Sequence, residues 1–158
     1  MKKAIYPILA ALCVLALIGM TAALILTGKP REFTPPPFDP AAQEGTPAVS
    51  PEAGYGEMDA KAFRFSVAGE LFPQNGRVDL WLTNPAENSV WLKVRILDES
   101  GAILGESGLI RPGEYVRSVN LHTQPQSSMK VVLKIMAYEP ETYYSAGSAA
   151  LNTSLQIA

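Results

Sequence analysis

The sequence predicts an all-β domain, an antiparallel immunoglobulin-like β-sandwich of seven or eight strands over Phe63–Ala158, preceded by an N-terminal transmembrane helix and a Pro-rich stalk. Three observations predict it. Residues 4–26 carry no charge, residues 27–62 are rich in proline with almost no apolar periodicity, and from Phe63 onward apolar residues recur at every second position between turn signals. Period-two alternation with regularly spaced turns and no helical period is the pattern of an antiparallel sandwich.

The first element is Ala4–Leu26, AIYPILAALCVLALIGMTAALIL. As a helix it rises about 35 Å, slightly more than the roughly 30 Å hydrocarbon core of a bilayer. Pro7 falls in the first turn, where its missing N–H costs little. A cleavable signal peptide has a shorter apolar region followed by a small-x-small site. No such site follows Leu26, and Leu12 precedes Cys13 where lipid attachment favours a small residue. The stretch therefore reads as an uncleaved signal anchor in the cell membrane. Lys2 and Lys3 place the N-terminus in the cytoplasm and the remainder outside, while Lys29 and Arg31 on the far side pull the other way.

Residues 27–62 hold Pro30, Pro35, Pro36, Pro37, Pro40, Pro47 and Pro51. With so little apolar patterning the segment is expected to be a disordered stalk. Within it, Phe33–Pro40 (FTPPPFDP) offers two readings, a polyproline docking motif flanked by aromatics or a stiff spacer; the spacer reading is favoured.

The outer domain starts with Phe63, Phe65 and Val67 on one face. Gln74-Asn75-Gly76 signals a tight turn. Val78, Leu80 and Leu82 follow, and after the loop Asn84–Asn88 come Val90, Leu92, Val94 and Ile96, the cleanest alternation in the chain. Asp98–Gly101 turns into a short strand near Ala102–Glu106, and Pro112-Gly113 suits a type II turn. Tyr115, Val119 and Leu121 are assigned one face, with Arg117 interrupting it as a bulge would. Met129–Ala137 and Ala149–Ile157 supply the last strands.

Composition narrows the function. The chain has 158 residues and a formal net charge of −2, without the basic footprint of a nucleic-acid binder. Cys13 is the single cysteine and lies in the anchor, so the outer domain has neither disulfides nor thiolate metal ligands. His122 is the single histidine and sits in a predicted loop; Ser107, Ser127 and Ser128 have no other candidate base. Asp98, Glu99, Glu139 and Glu141 fall at turns, and nothing places two carboxylates across a cleft. No catalytic residue, metal site or cofactor is expected, and the chain is read as a non-enzyme.

The candidate binding residues are Trp81, Trp91, Lys93 and Arg95. Inward assignment of Val78/Leu80/Leu82 and Val90/Leu92/Val94 sends both tryptophans outward. A hairpin about Ala86 sets them opposite one another, beside the two cations. Two other readings compete: the stalk covers this outer face, or one tryptophan is the buried core residue of immunoglobulin-like domains. Tyr138, Tyr143 and Tyr144 flank a second hairpin, as a binding rim or as packing on the strand ends.

Asn84-Pro85 with Asn88, Leu97-Asp98 with Gly101, the run Glu106–Tyr115 (ESGLIRPGEY) and Ala137–Thr142 (AYEPET) occur together. The combination resembles small single-pass surface proteins of Gram-positive anaerobic bacteria, some similar to accessory proteins of conjugative elements. These motifs are mainly turn chemistry, and no ligand residue is implied by the resemblance. The expectation is a membrane-anchored extracytoplasmic module that binds another envelope protein, within a surface or conjugative assembly. The alternative is a binder of cell-wall carbohydrate or peptidoglycan through the exposed tryptophans.

Overall fold

The pairing of short alternating segments builds two antiparallel sheets. The computed structural model describes Val14 and residues 33–157; the expected membrane helix and the first part of the stalk lie otherwise outside the described residues. Among the described residues no helix is long and apolar enough to cross a membrane. The strands are β1 (Gln43–Glu44), β2 (Gly56–Asp59), β3 (Arg64–Val67), β4 (Pro73–Gln74), β5 (Arg77–Thr83), β6 (Trp91–Leu97), β7 (Ile103–Glu106), β8 (Glu114–Asn120), β9 (Met129–Tyr138) and β10 (Ser145–Leu155). One sheet runs β1-β8-β5-β3-β2 with β4 alongside β5, and the other runs β10-β9-β6-β7.

The two sheets share one core, an arrangement compatible with a β-sandwich. Phe65, Val78, Leu80 and Leu82 from the first sheet meet Leu92, Val94, Ile96, Leu133 and Ile135 from the second in a single buried cluster. Each such side chain, fully buried, stabilises the fold by about 1.5–3 kcal/mol before entropy is counted. The expected turns form as their residues require. Asn75 (φ 52°) and Gly76 (φ 73°) make the tight β4–β5 hairpin. The Asp98 carboxylate accepts hydrogen bonds from Ser100 and Ala102, and Gly101 closes that turn at φ 85°.

The Asn84–Asn88 loop is a polar hub. Asn84 is fully buried; its amide donates to the carbonyls of Val90 and Ile110. The Asn88 amide donates to Asn84 Oδ1 and to the Arg64 carbonyl, while Asn88 Oδ1 accepts from the Arg64 N–H. Every buried side-chain polar atom among the described residues has a partner. The motif therefore joins both sheets where the chain passes from β5 to β6, and its chemistry is that of the fold.

Three expectations are corrected. First, β5 and β6 do not form a hairpin: β5 pairs with β3, β4 and β8 in one sheet, and β6 with β7 and β9 in the other. Alternation assigns a face to each strand but not a partner. Second, the inward residues of β8 are Val116 and Val119, with Tyr115 less buried. Three-residue spacing breaks the phase of β8. The compensating bulge lies on β5, where Leu80 and Trp81 together face the single Arg117 between the pairs Asp79↔Ser118 and Leu82↔Val116.

Third, residues 35–62 are not a free stalk. Pro35 onward belongs to one compact unit with the strands. Leu109 N–H donates to the Pro37 carbonyl and Asp39 N–H to the Leu109 carbonyl, forming a parallel bridge at Phe38. The Asp39 carboxylate accepts from the Gly108 N–H. Gly108 is required there, because a Cβ would stand 2.5 Å from the Asp39 nitrogen. Further along, Pro47 is buried, β1 pairs with β8 and β2 with β3. The segment is a strap laid against the sheets by backbone bonds and isolated anchors.

Candidate recognition groove

The outer face of the first sheet is built around the β5 bulge. A bulge raises local twist and re-aims the side chain it carries. Here it holds Trp81 at φ 53°, a left-handed conformation that costs a non-glycine residue about 1–3 kcal/mol. A short relay supports that strain. Thr83 Oγ1 donates to the Trp81 carbonyl at 3.1 Å, and the Tyr55 hydroxyl lies 2.7 Å from Thr83 Oγ1. With the threonine proton committed to Trp81, Tyr55 is the donor to Thr83, so the strap braces the bulge.

Around Trp81 the side chains are ordered by charge and stacking. The Arg117 guanidinium lies 4.9 Å from the Trp81 ring centroid and pairs with Asp79 at 2.9 Å. The Tyr115 ring stands 6.2 Å from it, tilted by 31°. Arg77 is held by Asn120 at 2.9 Å. Trp81, Arg117, Asp79 and Arg77 line a groove of about 850 Å³ together with Ser50, Glu70, Phe72, Gln74 and Ser118. Phe72 is 47% exposed, a large apolar side chain with nothing to gain from water. The groove thus combines two aromatic surfaces with amide, hydroxyl and guanidinium donors and two acids, Glu70 and Asp79.

The other three candidates lie on the second sheet. Trp91 is half-buried between Phe38 and Tyr143, with ring centroids at 4.8 and 5.2 Å, both edge-to-face. Arg111 caps the opposite partner, its guanidinium 3.7 Å from the Phe38 centroid. The reading in which the stalk covers this face therefore holds for Trp91. Neither tryptophan is a core residue.

Lys93 is 6% exposed and its ammonium lies 3.0 Å from Glu106. Arg95 binds the other oxygen of the same carboxylate at 2.8 Å. Burial pushes the Glu106 carboxyl up, but the hydrogen bonds and charges of Arg95 and Lys93 outweigh it and hold the group below the ordinary carboxylate value. Lys93 and Arg95 thus share a single carboxylate within the sheet, which leaves the cluster one positive charge in excess. The structure brings Trp91, Lys93 and Arg95 together on one sheet and sets Trp81 on the other.

The remaining polar candidates have structural partners. Ser107 Oγ accepts from Val94 N–H and donates to the Gly108 carbonyl. His122 is exposed, with Nδ1 3.2 Å from the Ile103 carbonyl. Among the described residues no group of three or more metal-ligating side chains converges. Sequence reasoning missed Phe72, Arg77, Asp79 and Arg117; the one signal pointing there was Arg117 breaking the alternation of β8. No family model matches the chain, and no curated protein matches it either.

Proposed function

We propose that the chain is a membrane-anchored extracytoplasmic binding module that contacts another envelope protein through the Trp81 groove. The observation that carries this reading is the braced, left-handed Trp81 with Arg117 stacked on it, facing an open concave surface. Strain of that kind persists where surrounding structure enforces it, and such sites are enriched in function. Tryptophan, tyrosine and arginine are the residues most often dominant in protein–protein contacts. The anchor over Ala4–Leu26 holds the domain at the membrane, and no nucleic acid is a partner for its balanced surface.

The strand order supports an immunoglobulin-like assignment. The neighbours β8-β5-β3 correspond to E-B-A of such sandwiches, and β10-β9-β6-β7 to G-F-C with a strand added beside C. The module departs from antibody domains in lacking the core tryptophan and disulfide: the buried residues are aliphatic on β6 (Leu92, Val94, Ile96) and on β5 and β9 (Leu80, Leu133).

A second reading, binding of cell-wall glycan, is favoured by one observation: exposed Phe72 lines the groove with Gln74, Asn75 and Asp79, planar polar groups in the same cleft as an apolar ring surface. The two readings separate in one experiment. A photo-crosslinking residue at Ser118 in intact cells is expected to give a discrete protein adduct that Trp81→Ala abolishes, whereas the same label at Ile103 gives none. Adduct formation equal at both positions, or none at Ser118 with retention of the protein on purified cell wall, overturns the protein-partner reading.

A further inference from the structure

Open sheet edges carry unpaired N–H and C=O groups, and folded proteins blunt them. The edges of this domain are treated unequally. β1 has two residues, and β2 has four with Glu57 and Asp59 on it, both paired to Arg64. At β7 the edge is covered, because Gly105 bridges to Leu121 and His122 N–H donates to the Leu104 carbonyl. Strand β10 differs. It runs eleven residues, Ser145–Leu155, with no charge and no proline. Its first residues bulge at Ser145/Gly147, and its last are covered by Leu71 and by Gly69, whose carbonyl accepts from Thr153. Between them Ser148–Asn152 has no partner strand on its free side among the described residues.

We infer that β10 is a docking edge for a second copy of this chain, paired antiparallel about Ala150 so that the two four-stranded sheets join into one. The occupant follows from the side chains. A two-fold axis at Ala150 sets Ala149 opposite the other copy's Leu151, and Ser148 opposite its Asn152. Ala149 and Leu151 already pack against the core while Ser148, Ala150 and Asn152 are exposed, so like meets like on both faces. With no charge on β10, self-pairing sets no like charges opposite one another. Lys134 on β9, beside Ala150, stands three strand spacings from its counterpart, about 14 Å and beyond the screening length at physiological salt, and Lys130, beside Ser154, is farther still from its own.

The pairing makes a geometric demand that disulfide trapping reads. Directly opposite Cα atoms lie about 4.5–5.5 Å apart, within disulfide reach, whereas residues offset by four positions are about 13 Å apart. In the full-length chain with Cys13→Ser, purified in detergent, Ala150→Cys is expected to trap a dimer under mild oxidation and Ser148→Cys to stay monomeric. Ala150→Lys, which sets two lysines opposite each other on an exposed position, is expected to shift the protein toward monomer by light scattering while melting like wild type diluted to its monomer. A wild-type chain that is monomeric at all concentrations overturns the inference. So does trapping that is equal at both positions, or a dimer that persists in Ala150→Lys and is not trapped at Ala150, which assigns association to residues outside the described domain or to another edge.

Discussion

Trp81 and Trp91 sit at equivalent outward positions of strands that follow one another in the chain, yet their surroundings differ in kind. Both rings are half-buried, but Trp91 lies on a regular strand and packs edge-on against two rings of the chain itself, Phe38 from the strap and Tyr143 from the β9–β10 loop. The cations beside it share one carboxylate. Trp81 lies on a bulge, strained and braced from behind, and faces a groove that nothing in the described domain fills. One surface is finished internally and contributes stability. The other retains strain and unfilled space, which is what a recognition surface needs.

The strap joins the two, since Phe38 covers Trp91 while Tyr55 braces Trp81. The largest expected effect follows from removing it. Deleting residues 1–62 takes away β1, β2, Phe38, Tyr55 and Met58, and is expected to destabilise the domain by on the order of 5 kcal/mol, summing partly buried side chains worth up to about 1.5–3 kcal/mol each. Comparing urea denaturation of fragments beginning at Pro35 and at Phe63 measures it. Equal stability of the two fragments breaks the comparison, because the strap then braces neither tryptophan.

Leu92→Ala comes next. It removes a fully buried side chain beside Trp91 and is expected to cost about 2–5 kcal/mol, read as a shift in the denaturation midpoint. A third expected outcome concerns pH. The folded pKa of Glu106 is depressed, so its contribution is present above the unfolded carboxylate range and is lost as pH falls through the folded value. Wild type is thus expected to lose stability in acid more steeply than Glu106→Gln, with both profiles flat near neutrality. A steeper loss in the variant contradicts the shared-carboxylate account.

How much of this was legible in the sequence depends on whether a feature is local. Strand faces follow from alternation, so Leu80, Leu82, Leu92, Val94 and Ile96 are all assigned inward and all are buried. Turns follow from residues that permit positive φ, as at Gly76, Gly101 and Gly113. The strap was not legible because its attachments are backbone bonds and single side chains: Asp39 reaching Gly108, and Phe38 reaching Arg111, leave no period along residues 35–62. The site was half legible. Outward placement of Trp81 is local, but the enclosure of Trp91 and Lys93 depends on Phe38 and Glu106, which arrive from distant positions. Arg117, interrupting the apolar pattern of β8, signalled a bulge, although the strand that carries it is β5.

The central claim is that Trp81 is for binding and Trp91 for folding, and one paired measurement tests it. Trp81→Ala and Trp91→Ala are made in the full-length chain, each carrying the photo-crosslinking residue at Ser118, and each is scored for unfolding free energy and for adduct formation in cells. Trp91→Ala is expected to lower stability by about 1–3 kcal/mol, through the lost edge-to-face contacts and burial, and to keep its adduct. Trp81→Ala keeps a Cβ at the same positive φ, so the strain stays and only the packing on Arg117 and Tyr115 is lost; it is expected to cost about 1 kcal/mol and to lose the adduct. Loss of the adduct in Trp91→Ala with its retention in Trp81→Ala contradicts the account.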